Sequence, residues 1–140
     1  MGTIPTVLRN GDTCYAQKGA NFEGNLKIEG NFIVPARTNF SGQLTITGTL
    51  ELGPGSCVSL GVNCWNAVIG RQSRIKGPLV AHGDVTILDD AVVHSVTAGG
   101  KVILRKGVRV GDVISKDTII IHGRIKSGKL LGKKMKVIRE

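Results

Sequence analysis

Several features that mark common classes of protein are scarce in this sequence. Of its 140 residues, 4% are aromatic and three are cysteine. No apolar run reaches the ~18 residues of a transmembrane helix. The first residues do not form a charged segment followed by an apolar one, as a secretory signal would. We therefore expect a cytoplasmic protein, and its 41% of hydrophobic residues suffices for the core of one domain.

The cysteines and histidines lack the spacing of a metal or catalytic site. Cys14, Cys57 and Cys64 do not form the closely spaced pairs of a zinc site. We interpret them as small apolar residues in a reducing compartment. The three histidines fall at different positions of the repeat described below, so they do not converge on one metal ion. No nucleophile–base or paired-carboxylate arrangement stands out, and we expect no enzymatic activity, metal or cofactor.

A short phrase with apolar residues at alternate positions recurs along the chain. Its clearest copies are residues 22–28 and 40–46. Weaker copies follow at steps of 15 to 18 residues, beginning at Val58, Ile75, Val93, Val110 and Ile125. The repeat is too short for a pair of helices, and no window has helical periodicity. The pattern predicts an all-β, parallel β-helix of about six to seven coils, each with three short strands and three tight corners.

Superposing the copies gives the positions that face the core. The first position is always apolar, and the fifth is mostly apolar: Leu26, Leu44, Val62, Leu79, Thr97 and Ile114. Turn-forming residues recur at the corners, and one corner holds Gly30, Gly48, Asn66 and Gly83. These positions predict a single β-helix domain over residues 7–127. Residues 1–6 are predicted as a short lead, and residues 128–140 as a basic tail or a last partial coil.

The cations of this chain, which has a formal net charge of +9, concentrate near the third corner of the repeat. Side chains at the same position of successive coils stack, so these cations predict a basic stripe, interrupted at Asp89 and Asp90. The basic stripe consists of Arg37, Arg71, Arg74, Arg105, Lys106, Arg109, Arg124 and Lys126. It would attract an anionic membrane, an acidic partner or nucleic acid. The single Trp and single Tyr disfavour stacking on single-stranded nucleic acid. The alternative is that these cations only keep a rod soluble.

The two ends of a β-helix expose strand edges and a layer of apolar core. No capping helix is evident in the sequence, so stacking of one molecule on another would cover both. A contact that does not close by symmetry generates filaments. The predicted contact residues are Val7, Leu8 and Phe22 at the N-terminal end, and Ile125, Leu130 and Leu131 at the C-terminal end. Head-to-head and head-to-tail stacking are both compatible with the sequence.

Three segments resemble the bactofilins, polymer-forming cytoskeletal proteins of bacteria with relatives in archaea. They are residues 24–30 (GNLKIEG), 42–55 (GQLTITGTLELGPG) and 75–81 (IKGPLVA), and the resemblance extends over about residues 6–127. It implies a right-handed, three-sided β-helix that polymerises without nucleotide and acts as a scaffold. It also implies the chain itself, cell-envelope proteins and the membrane surface as partners. The short lead and the proline-free basic tail depart from the family pattern, so constitutive membrane targeting is not implied.

Two other functions are compatible with the sequence. A basic β-helix could act without polymerising, as an adaptor for an anionic membrane or nucleic acid. Hexapeptide-repeat acyltransferases and some zinc carbonic anhydrases are also short-period β-helices. The nearly uninterrupted repeat leaves no loop to cover a substrate groove, and the histidines lack the spacing of the anhydrase ligands. The sequence therefore favours a scaffold over an adaptor, and either of them over an enzyme.

Overall fold

Alternating apolar and polar residues fold the chain into three stacks of short strands, which form the faces of a β-helix. The computed structural model describes residues 7–139, an all-β solenoid of about seven turns. Face A contains β1 (Val7–Asn10), β2 (Thr13–Ala16), β5 (Asn31–Val34), β8 (Thr49–Leu52), β11 (Asn66–Ile69), β13 (Val85–Ile87), β15 (Val102–Leu104), β18 (Thr118–His122) and β20 (Lys134–Ile138). The predicted lead, residues 1–6, lies outside the described residues.

The other two faces are joined by two long strands that turn the corner between them. Face B contains β4 (Leu26–Ile28), β7 (Leu44–Ile46), β10 (Val62–Cys64), the second halves of β12 (Arg74–Ala81) and β14 (Val92–Ala98), β17 (Val113–Ser115) and β19 (Leu130–Leu131). Face C contains β3 (Asn21–Phe22), β6 (Asn39–Phe40), β9 (Cys57–Val58), the first halves of β12 and β14, and β16 (Arg109–Val110). The described residues contain no helix that is long and apolar enough to span a membrane.

Strands of successive coils pair in parallel, which confirms the predicted solenoid. Partners on face C lie 17 or 18 residues apart. The step of 15 residues predicted for the last coil is wrong. Arg109 pairs with Lys126, so Ser127 rather than Ile125 follows Val110 in the stack. Ile125 instead lies beside Val108, and the period is kept.

The core is a narrow column of apolar side chains from alternate positions of each strand. On face A the inward side chains are at most 2% exposed in six successive coils: Phe32, Leu50, Ala67, Val85, Val102 and Ile119. Near the N-terminal end the column is aromatic. The rings of Phe22 and Phe40 stack with their centroids 5.0 Å apart, and the edge of Phe32 meets Phe40 at 6.0 Å.

On face B the predicted core positions hold in the early coils and fail in two later ones. Val96 and Val113 continue the inward row, and each is at most 1% exposed. Thr97 and Ile114, predicted for that row, point outward, and Ile114 is 45% exposed. The cause is a register shift in the pairing of β12 with β14, between Ile75 and Pro78. β14 uses one residue fewer than β12 at this corner. Each later residue of β14 therefore faces the side opposite to the one that a constant period predicts.

The corner between faces A and C requires a left-handed residue in each coil, with φ between +57° and +77°. That position holds Gly19, Arg37, Gly55, Gln72, Asp90 and Gly107. Next to it a short column of hydroxyl side chains is buried inside the solenoid. The backbone N–H of Thr38 donates to Ser56 Oγ at 3.1 Å, and that hydroxyl donates to the carbonyl of Pro35 at 3.2 Å. The Ser73 hydroxyl donates to the Gly53 carbonyl at 3.0 Å. The buried hydroxyls therefore serve the turn, and among the described residues no buried side-chain nitrogen or oxygen lacks a hydrogen-bond partner.

At the corner between faces B and A, polar side chains form hydrogen bonds that connect successive coils. The Oδ1 atoms of Asn31, Asn66 and Asp84 each accept a backbone N–H of the next coil, at 2.8 to 2.9 Å. Asn66 therefore lies in this polar row, and its predicted place among the corner glycines is wrong. Trp65 occupies that place, since its N–H donates to the Gly48 carbonyl and its carbonyl accepts from Gly83.

The two ends of the solenoid are built differently. At the N-terminal end, β1 folds back on β2 as an antiparallel hairpin around Gly11, whose φ is +63°. The sequence did not reveal this hairpin. At the C-terminal end, β19 and β20 continue the parallel stacks within the segment predicted as a tail or a last partial coil. Within residues 7–139, the first coil therefore has an added antiparallel strand on face A, whereas the last coil has none.

Candidate functional site

At the C-terminal end of the solenoid, two strands have an edge that no described residue pairs with. Among the described residues, β19 pairs only with β17, and β20 pairs only with β18. Because each of these strands has a partner on one side only, its other edge presents backbone N–H and C=O groups toward the end of the solenoid. Such an edge is a template for a further strand.

The same end exposes side chains that face the core in every earlier coil. Met135 and Val137 pair with Ile119 and Ile121, which point inward and are 0% and 7% exposed. With no described layer above them, Met135 and Val137 are 47% and 62% exposed. Two further inward side chains of this last coil are half-buried against the core: Ile125 and Leu130. We call these four residues the end layer.

The predicted contact residues of this end divide into two groups. Ile125 and Leu130 belong to the end layer. Leu131 does not belong to it. It pairs with Ile114, whose side chain points outward, so Leu131 also lies on the outer side of face B, where it is 59% exposed. The sequence prediction missed Met135 and Val137, although their alternation with Lys134 and Lys136 was a signal for a strand with one apolar side.

The predicted contact residues of the N-terminal end also differ in exposure. Val7 is half-buried against the core, and Leu8 is 70% exposed on β1. Phe22, predicted as an end contact, is only 7% exposed and stacks on Phe40 inside the solenoid. Leu8 pairs with Tyr15, which is 40% exposed between the buried Cys14 and Ala16, so both side chains lie on the outer side of face A. Of the two predicted contacts on β1, only Val7 lies on the inner side, opposite Ala16.

The basic stripe does not form one continuous row. Arg37, Arg71 and Lys106 lie along the corner between faces A and C. Arg105 follows the last residue of β15 on face A, where its Nε lies 3.7 Å from a carboxylate oxygen of Asp89. Asp89 therefore pairs with one member of the stripe.

The remaining four members converge on one side of face C. Arg74, Arg109, Arg124 and Lys126 line a depression of about 620 Å³, together with Asp90, Val92, Gly107 and Ile125. We call it the basic depression. Arg74, Val92, Arg109 and Lys126 occupy the same outward position in successive coils. Val92 is short and Gly107 has no side chain, so no side chain fills the space between the cations. The cations therefore surround a depression in the surface.

Other reactive side chains do not form a second site. Burial raises the pKa of the Cys64 thiol to about 12, so this cysteine is a neutral, apolar core residue near neutral pH. Cys57 is half-buried on face C, and Cys14 is buried. Within residues 7–139, no group of three or more His, Cys, Asp or Glu side chains could hold a metal ion. The indole of Trp65 stacks on the His82 ring at 5.2 Å, a contact that repeat positions alone did not reveal.

Comparison of the chain with protein-family models, curated proteins and solved structures finds no match. Function is therefore inferred from the two features described above. One is the pair of solenoid ends with their free strand edges. The other is the basic depression.

Proposed function

We propose that the chain is a cytoskeletal scaffold that assembles end to end into filaments without nucleotide. The exposed end layer carries this proposal. Met135 and Val137 occupy positions whose counterparts one coil earlier are at most 7% exposed. Covering the end layer would remove apolar surface from water, which favours association by about 25 cal/mol per Å².

A second copy of the chain is the partner whose shape fits the end best. Both ends present strand edges on faces A and B, and at the C-terminal end face C ends in the single bridge residue Lys126. Pairing of edges would add main-chain hydrogen bonds to the apolar contact, as in strand addition to a sheet. On face A a head-to-tail contact would place β20 against β1, which runs antiparallel to the rest of that face. Contacts of this kind do not close by symmetry and so extend into filaments.

The resemblance to bactofilins agrees with this proposal and suggests the cellular role. We propose that the filament lies in the cytoplasm and positions other proteins at the membrane or cell envelope. A rigid rod with regularly repeated faces would present one binding surface per subunit, at fixed spacing. Proteins attached to it would be held in a row.

The test is negative-stain electron microscopy of the purified chain at low and high salt, with and without EDTA. We expect filaments under all four conditions, because apolar stacking and strand pairing are screened little by salt. Discrete particles under every condition would overturn the proposal. Filaments that dissolve at high salt would show that the contact is electrostatic and that the end layer does not hold it.

The basic depression favours one alternative function, a basic adaptor that binds anions without polymerising. Its four cations lie on a side face of the solenoid, and the three arginines among them are exposed. Discrete particles that bind anionic vesicles at low salt and release them at high salt would favour the adaptor.

A further inference from the structure

We propose that the basic depression is a binding site for a compact anion with two or more phosphate groups. The proposal does not depend on filament formation. It concerns a side face of the solenoid, formed by β12, β14, β16 and the corner that precedes Lys126.

The arrangement of the cations fits a multivalent anion. Arg74 and Arg109 stand two coils apart, or about 10 Å at the usual strand spacing, with Val92 between them. Lys126 follows Arg109 in the next coil, and Arg124 approaches from the corner. Long side chains rooted at this distance can reach one anion held above Val92. The depression, about 620 Å³, has the size of a small-molecule site.

The charge of the depression is largely uncompensated. Four cations and the carboxylate of Asp90 line it, a formal balance of +3. The one ion pair found within residues 7–139 joins Arg105 to Asp89, outside the depression. Arg74, Arg109 and Arg124 are all exposed, so their guanidinium groups are free to turn toward a ligand. Clustered like charges repel one another, and an anion between them would relieve that repulsion.

The types of side chain point to phosphate oxygens. Arginine presents a planar fork of N–H donors that binds phosphate through two parallel hydrogen bonds. A flat membrane or a rod of nucleic acid would meet a ridge of cations better than a hollow. The hollow favours an anion small enough to enter it, either free in solution or as the phosphorylated headgroup of a lipid.

The test uses isothermal titration of the full chain with sodium tripolyphosphate, beside sedimentation with vesicles of phosphatidylcholine and cardiolipin, a lipid whose headgroup carries two phosphates. The double variant Arg74→Gln, Arg109→Gln removes two cations from the depression. The control Arg37→Gln, Arg71→Gln removes two cations of the basic stripe that lie outside it, with the same change in net charge. Electron microscopy of both variants shows whether assembly is unaffected.

We expect one tripolyphosphate per chain, with affinity at least about tenfold weaker in the depression variant and less than about threefold weaker in the control. Binding to vesicles alone, lost only in the depression variant, would support the site and identify a lipid headgroup as the source of phosphate. Equal losses in both variants would overturn the proposal in favour of general attraction between charges. So would an absence of binding to either probe. A depression variant that still forms filaments but loses the anion would separate this proposal from that of the scaffold.

Discussion

Replacing Val137 with glutamate tests whether the end layer holds the filament together. Val137 is 62% exposed at the C-terminal end, at a position that faces the core in earlier coils. In a filament its side chain would be covered by the next molecule. The substitution places a carboxylate in that apolar contact while leaving the paired coils below it unchanged.

The expected cost has two parts. Burying a whole valine side chain stabilises a contact by about 1.5–2 kcal/mol, so losing the exposed 62% of Val137 removes about 1 kcal/mol. A carboxylate without a close partner adds about 2 kcal/mol of desolvation, because the adjacent Lys136 points to the opposite side of β20. A total of about 3 kcal/mol corresponds to a roughly hundredfold rise in the critical concentration for assembly.

Leu131→Glu is the matched control. Leu131 lies in the last coil and is 59% exposed, but its side chain points to the outer side of face B and not toward the end. Its replacement by glutamate changes the net charge by the same amount. We expect its critical concentration, measured by sedimentation over a dilution series, to stay within about threefold of the parent value. Circular dichroism checks that both variants keep their β-structure. Assembly of Val137→Glu at the parent concentration would refute end stacking, and equal impairment by Leu131→Glu would indicate a lateral contact through face B.

Two further predictions concern the stability of the coils, measured by urea unfolding of the non-assembling Val137→Glu background. Ser56→Ala should cost about 2 kcal/mol, because the buried Thr38 N–H loses the acceptor Ser56 Oγ, while the Pro35 carbonyl keeps the Thr38 hydroxyl at 3.0 Å. Ser73→Ala should cost about half as much, since the Ser56 N–H keeps the Gly53 carbonyl at 3.4 Å; equal costs would contradict this assignment of hydrogen bonds. Phe40→Ala should cost about 4 kcal/mol through a cavity and two lost ring contacts. Phe22→Ala in the first coil should cost less because terminal coils fray separately, so a cost as large as that of Phe40→Ala would show that all coils unfold together.

The fold was predictable because two simple signals agree along the chain: apolar residues at alternate positions and turn residues at a nearly constant period. The errors occur where a corner changes length by one residue. Val113 and Ile114 are adjacent and both apolar, so composition alone cannot decide which of the two side chains faces the core. The register shift that decides it arises near Pro78, one coil before β14. A fixed period cannot detect such a shift.

The sites were less predictable than the fold because they depend on side-chain direction. The basic stripe was derived from proximity in the repeat, but the chain turns the corner between faces A and C inside the stripe, at Gly107. Arg105 and Arg109 consequently lie on different faces, one beside Asp89 and one in the basic depression. The end layer depends in addition on which coil is the last one described, and no repeated pattern carries that information.

Ile125 connects the two proposed sites. It is half-buried at an inward position of the end layer, and it also lines the basic depression from below. A molecule stacked on the end would pack against one side of Ile125, and an anion in the depression would approach the other. Filament contact and anion binding should therefore influence each other, and such coupling is reciprocal. If assembly raises the affinity for the anion by some factor, the bound anion must lower the critical concentration by the same factor.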